Sequence, residues 1–225
     1  SASEIYSAAI QDYERGIIIG STTTGKGTAQ VQLDSLAHGQ ATLTQRKFYR
    51  VTGGSTQNKG VIPDIRLVDI YNEEFGERKA KNALKWDTIP TAPFKREGSV
   101  QPYLAKLNQT SEQRVATDPQ FKYLETRKTL AKKSADEKKV VLDIDQRRAE
   151  LVDLEKQTLD AENQRRAATG QPPYANWESY QASIDALVES RAKMKAHLRP
   201  PLPEEEAFIT EAANVLLDYA ALQGR

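Results

Sequence analysis

Gly16-Ile17-Ile18-Ile19-Gly20-Ser21-Thr22-Thr23-Thr24-Gly25-Lys26-Gly27 is the stretch on which the fold turns. The apolar run Ile17–Ile19, set between glycines, predicts a short strand of the kind buried on both faces. The residues after it nearly spell the phosphate-binding loop G-x-x-x-x-G-K-[ST], which must open a helix whose N-terminus faces the phosphates. Here the last position is Gly27, which has no hydroxyl for magnesium, and the residues beyond Lys26 alternate as in a strand. Strand–loop–strand replaces strand–loop–helix, and nucleotide binding is disfavoured. Taken alone, the loop is a glycine turn carrying a surface lysine.

Working outward, Ser1–Tyr13 reads as a helix with Ile5, Ala8, Ala9 and Tyr13 on one face, ended by Gly16. Residues 29–33 and 41–51 read as strands. The second carries polar groups on both faces, which places it at an edge or along a cleft. Gly53-Gly54-Ser55 predicts a turn, and Pro63-Asp64 closes the region.

Composition changes near residue 70, and from about residue 76 the pattern is helical. Tyr103–Leu107 predicts one turn or more. Asp118-Pro119 supplies a cap and a first-turn proline to a helix reaching about Lys133. A charged helix over about 143–169 has Leu151, Leu154 and Leu159 as a thin stripe, and Gly170-Gln171-Pro172-Pro173 breaks it. Trp177, Tyr180, Ile184, Leu187, Val188, Arg191, Met194 and Leu198 recur at helical spacing. After Pro200-Pro201-Leu202-Pro203, three glutamates at 204–206 sit at a helix start, where the dipole favours anions. The buried face of that helix is expected to be Phe208, Ala212, Val215, Leu216, Tyr219 and Leu222. The expected fold is an α/β piece, a helix plus a short mixed sheet, over residues 1–70. A mainly α-helical domain follows over residues 71–225.

The bulk properties exclude several functions. With 225 residues the chain can form one large domain or two small ones. Only 38% of residues are hydrophobic and 28% are charged, which favours solvated helices over a compact all-β core. A net charge of +1 supplies no field toward nucleic acid or anionic membrane. The absence of cysteine removes disulfides, thiolate metal sites and a cysteine nucleophile, and it fits an oxidising compartment. His38 and His197 lie far apart in sequence, giving little support to a histidine metal cluster or a Ser–His–Asp site. No apolar run approaches the roughly 20 residues that span a bilayer. The chain opens abruptly inside a helix-start pattern and reads as part of a longer protein.

Ser1-x-x-Glu4 matches a capping box, a sufficient structural reason for a serine at that position. A second reading makes Ser1 a nucleophile with an external base, and a third makes it an N-terminal nucleophile served by its own α-amine. Capping and catalysis share a geometry, because a helix N-terminus offers free amides where an oxyanion would form.

Several motifs taken together carry a resemblance. Ser-Ala-Ser-Glu-Ile at 1–5, Gly-Lys-Gly-Thr at 25–28, Gln30, Lys-Phe-Tyr-Arg at 47–50, Gly-Gly-Ser-Thr-Gln at 53–57 and Gly-Val-x-Pro-Asp-Ile at 60–65 occur in this order. They resemble the peptidase core of the tail-specific (C-terminal processing) proteases, serine peptidase family S41. The motifs cover residues 1 to about 66, and the remainder resembles that family's helical C-terminal domain more loosely. The resemblance implies that Ser1 is the nucleophile, Lys26 the general base and Gln30 its support, with the amide of Ala2 donating to the oxyanion. The spacing of 25 positions between Ser1 and Lys26 agrees with it. It assigns Gln57 and Pro63-Asp64 a structural role.

The activity implied is cleavage of unfolded or C-terminally tagged envelope proteins in the bacterial periplasm, with no metal, nucleotide or other cofactor. Some members of the family work with a helical-repeat lipoprotein adaptor, and a homo-oligomer is allowed. A lysine acts as base only as the neutral amine, which burial favours, and the apolar strand at Ile17–Ile19 is a candidate wall. Because four extended residues span roughly 13 Å, contact between Lys26 and Gln30 predicts a bend, assigned to Gly27. The family's second oxyanion donor lies upstream of its serine, so little peptidase activity is expected of these residues alone. A second class of function is a helical docking or scaffolding module over residues 70–225.

Overall fold

The structure, a computed structural model, describes residues 1–33, 36, 38–70 and 76–224. It divides into two compact units, Ser1–Thr110 with the C-terminal end from Asp218, and Ser111–Leu217. An α/β piece is followed by a helical region, as the sequence implies. Among the described residues no helix is long and apolar enough to cross a membrane.

The first unit begins with α1 (Ala2–Asp12). Its buried face is Glu4, Ala8 and Asp12; of the expected face Ala8 is buried, Ala9 and Tyr13 are half-buried and Ile5 is 50% exposed. Two carboxylates can occupy that face because both have partners. Asp12 takes the Arg50 guanidinium, with Nε at 3.0 Å from Oδ2, and Glu4 is described below. Strand β1 (Ile19–Gly20) pairs in parallel with β4 (Ile65–Arg66). Ile17–Ile19 are only half-buried, because β1 has a strand neighbour on one side alone among the described residues. Asp64 serves as a structural anchor here, accepting the Ile18 N–H at 2.8 Å and a Gln11 N–H at 2.8 Å.

Strands β2 (Thr28–Leu33) and β3 (Ala41–Lys47) form an antiparallel pair, from Thr28↔Lys47 to Leu33↔Ala41. Both are largely exposed, as the two-sided polarity of β3 implies. Gly53 closes a turn, its N–H donating to the Arg50 carbonyl at 2.9 Å. The apolar core of this unit is Val61, Ile65, Leu67, Val68, Val100 and Leu107.

Helix α2 (Gln101–Thr117) starts in this unit. The second unit is built on α3 (Pro119–Asp136), α4 (Ile144–Ala168) and α5 (Trp177–Lys193), and α6 (Pro203–Leu222) begins in it. The Asp118 cap forms, accepting the Gln120 N–H at 2.6 Å. In α6 the buried residues are Ala207, Glu211 and Val215; of the expected face Val215 is buried, Phe208, Ala212 and Tyr219 are half-buried, and Leu216 and Leu222 are exposed. Glu211 is held by Arg114, with Nη2 at 2.7 Å. In α4 the buried residues are Ala161, Glu162 and Arg165, and Leu151 of the expected stripe is exposed. Arg165 and Glu162 form a buried fork, with Nη2–Oε1 at 2.7 Å and Nε–Oε2 at 2.8 Å. Of the α5 pattern only Tyr180 is fully buried. Glu205 confirms the acidic start of α6: its carboxylate accepts the Leu202 N–H at 2.7 Å. That bond, with the Arg191 guanidinium, holds its carboxyl below the usual range against some burial.

Candidate active site

Ser1 is the N-cap of α1, and the capping-box pairing with Glu4 forms. The Glu4 N–H donates to the Ser1 carbonyl at 3.0 Å, and the Glu4 carboxylate receives the Ser1 nitrogen. Ser1 is exposed. Ala2 follows as the first helical residue, and its N–H belongs to the first turn, where helices leave amides without a partner. A developing negative charge placed against Ala2 would meet that amide and the positive end of the helix dipole.

Glu4 does more than cap. It is 3% exposed, and its two oxygens collect donors from a loop about twenty residues away. Oε1 accepts the Gly25 N–H at 2.7 Å and the Thr23 hydroxyl at 2.5 Å, and Oε2 accepts the Lys26 N–H at 3.1 Å. Burial alone would raise this carboxyl. Hydrogen bonds from the Ser1 nitrogen, Thr23 and Gly25 outweigh that and hold it below its ordinary value. The sequence reading confined Glu4 to the cap. The signal in the sequence is the i, i+4, i+8 spacing of Glu4, Ala8 and Asp12, which puts two carboxylates on one helix face.

The other side of the loop is fastened to residues 57–61. The Thr23 hydroxyl also accepts the Val61 N–H at 2.7 Å, the Asn58 N–H donates to the Gly25 carbonyl at 2.8 Å, and Gln57 Oε1 accepts the Gly27 N–H at 2.9 Å. Gln57 is fully buried, and this bond ties its side chain to the loop. Gly27 is needed for this approach: a Cβ there would lie 2.6 Å from the Gln57 nitrogen. The left-handed residue in the loop is Gly25, at φ 87°.

Lys26 emerges from this double clamp with its amine over β2. Nζ lies 3.2 Å from Gln30 Oε1, 3.4 Å from the Thr28 carbonyl and 3.4 Å from Thr28 Oγ1. Lys26 and Gln30 are thus brought together, as expected. Lys26 and Gly27 lie just ahead of β2, which begins at Thr28. A register shift between Ala29 and Gln30 sets Gln30 opposite Thr44, whose Oγ1 accepts a Gln30 N–H at 3.3 Å. The Ser1 hydroxyl and the Lys26 amine make no hydrogen bond to each other among the described residues. The two elements that carry them are joined instead through the Glu4 carboxylate. An open cleft of about 400 Å³ borders Thr28, Gln30 and Thr44.

Comparison with known proteins gives a consistent result. Residues 1–67 match the model of peptidase family S41, and residues 70–221 match the C-terminal domain of tail specific protease. The chain is 43% identical over 163 residues to a tail-specific protease of Haemophilus influenzae, covering 67% of this chain and 23% of that protein. It is 42% identical over 75 residues to a carboxy-terminal-processing protease of Bartonella bacilliformis, covering 33% of this chain and 17% of that one. Over 68 residues it is 40% identical to the chloroplastic C-terminal processing peptidase of Tetradesmus obliquus, covering 30% of this chain and 14% of that one. The chain therefore spans less than a quarter of the length of these curated relatives.

Proposed function

The chain belongs to the tail-specific protease family of S41 peptidases, and from that premise we propose that Ser1 and Lys26 are the nucleophile and general base of a serine endopeptidase. The observation that supports this most is the Glu4 carboxylate, which fixes the start of α1 and the Lys26 backbone to one buried point. Ser1 Oγ attacks the scissile carbonyl, and the neutral Lys26 amine takes its proton. Gln30 Oε1 aims that amine without adding charge. The Ala2 amide donates to the oxyanion at the helix N-terminus. The Lys26 ammonium then protonates the leaving amine, and water, deprotonated by the same lysine, releases the acyl group from Ser1.

The substrates are polypeptides, specifically unfolded or C-terminally tagged proteins of the bacterial envelope, met in the periplasm. The test is cleavage of an unstructured peptide by the longest natural polypeptide that contains these residues. Ser1→Ala abolishes it; cleavage that survives the substitution removes Ser1 as nucleophile.

Exposed apolar side chains on the helical unit favour a second role alongside the first. Val188, Ile209 and Leu217 are 55%, 61% and 69% exposed, which suits docking of an adaptor protein. Partner binding that persists in Ser1→Ala separates this role from catalysis.

A further inference from the structure

Residues 137–143, Glu-Lys-Lys-Val-Val-Leu-Asp, join α3 to α4 with neither helix nor strand. The backbone is extended at both ends, with φ −76°, ψ 95° at Glu137 and φ −67°, ψ 126° at Asp143. Leu142 is 97% exposed, Val140 63% and Ile144 60%, while Val141 between them is half-buried. Lys139 and Asp143 are exposed as well, so the segment stands open to solvent on both faces. Among the described residues, the backbone groups of 138–142 make no backbone hydrogen bond. An exposed, β-branched, unpaired stretch of this kind is a template for strand pairing. Beside it lies an open cavity of about 180 Å³, walled by Leu130, Val140, Leu151 and Leu154 and by charged side chains that include Lys133 and Arg147.

We propose that this segment pairs antiparallel with the same segment of a second copy, forming a two-fold dimer. The occupant follows from charge and register. With the two-fold axis at Val141, Lys139 of each copy stands opposite Asp143 of the other, and Val140 opposite Leu142. Opposite charges facing across a strand pair stabilise it, whereas a parallel pairing would set lysine against lysine at 138 and 139. Asp143 is equipped for this contact. Both of its cap bonds, to Asp145 and Gln146, use Oδ1, leaving Oδ2 for the incoming ammonium. Lys139 has no ion-pair partner among the described residues. Because Val140 is a wall of the cavity, the Leu142 facing it from the other copy covers that cavity. The same patch serves both subunits, as an isologous contact requires. The proposal is independent of the peptidase reading.

The test uses the absence of cysteine in the chain. Under mild oxidation Val141→Cys cross-links to itself across the axis, while Leu217→Cys, at a 69% exposed position elsewhere, does not do so at a comparable rate. Sedimentation equilibrium of the unaltered 225-residue chain shows a monomer–dimer equilibrium. Leu142→Asp and Lys139→Glu each raise its Kd by at least ~10-fold, and neither perturbs the fold because both positions are exposed. A chain that stays monomeric throughout the concentration series overturns the proposal. So does a dimer indifferent to Leu142→Asp, or equal cross-linking at 141 and 217.

Discussion

The Glu4 carboxylate accepts the Lys26 backbone N–H at 3.1 Å, although the two residues stand 22 positions apart. A single buried group therefore sets the distance between the helix that begins at Ser1 and the loop that presents Lys26. Four donors converge on it, from Ser1, Thr23, Gly25 and Lys26. A carboxylate can accept all four, whereas an amide of the same shape turns one end into a donor.

Glu4→Gln is accordingly expected to destabilise the protein by ~1–3 kcal/mol, the cost of leaving buried donors facing a donor. If Glu4 positions the base, kcat falls by about 10-fold or more with KM little changed. Denaturant unfolding and steady-state kinetics on an unstructured peptide check the two parts. A fall in stability with unchanged kcat would confine Glu4 to folding.

The same substitution carries a pH signature. Burial opposes the ionised form of Glu4, but the hydrogen bonds to it prevail and its carboxyl titrates below 4.5 in the folded protein. The unfolded chain therefore takes up this proton first as pH falls. The stability that Glu4 supplies is complete above pH 4.5 and is lost as pH drops through the lower, folded value. Urea titrations from neutral pH to pH ~3 should show the gap between the natural chain and Glu4→Gln holding at neutral pH and narrowing as the pH falls from 4.5 toward the lower, folded value. A gap that does not change with pH would contradict the account.

Two glycines separate close packing from backbone freedom. Gly27→Ala places a methyl 2.6 Å from the Gln57 backbone nitrogen, so a loss of ~1–3 kcal/mol is expected from the forced shift. Gly39 has φ 74° but nothing within 4 Å of the Cβ position. Gly39→Ala should cost only the backbone strain, about 1 kcal/mol. Thermal unfolding of both variants decides the ranking.

In the helical unit, Arg114 and Glu211 form a two-pronged pair with Glu211 only 3% exposed. Arg114→Met strands a buried carboxylate and should cost ~3–5 kcal/mol, whereas Arg114→Met with Glu211→Leu should recover most of that loss. A double variant as unstable as the single one would show that the pair contributes more than charge compensation.

The family was more legible in the sequence than the packing, because its motifs stand in a fixed order over residues 1–67. The cap at Asp118 could be read because capping is local. The helix faces could be read only in part. In α1 and α6 the expected Ala8 and Val215 are buried, but Glu4, Asp12 and Glu211 take the remaining fully buried places beside them along with Ala207. A search for apolar periodicity treats a carboxylate as a surface residue, although each of these is paired with a partner at least 20 positions away in the chain. The Lys26–Gln30 contact follows from their spacing, whereas the register shift that sets Gln30 opposite Thr44 depends on β3 and does not show in β2's own sequence.

The central claim is that Ser1 and Lys26 act as one catalytic unit, and a double-mutant comparison of kcat/KM tests it most directly. Ser1→Ala, Lys26→Ala and the double variant are measured on the same unstructured peptide, in the longest natural polypeptide that contains these residues. The account predicts that each single change lowers kcat/KM by at least ~10³-fold and that the double change costs no more than the worse single one. Additive losses, or a Lys26→Ala enzyme that keeps its rate, would contradict it.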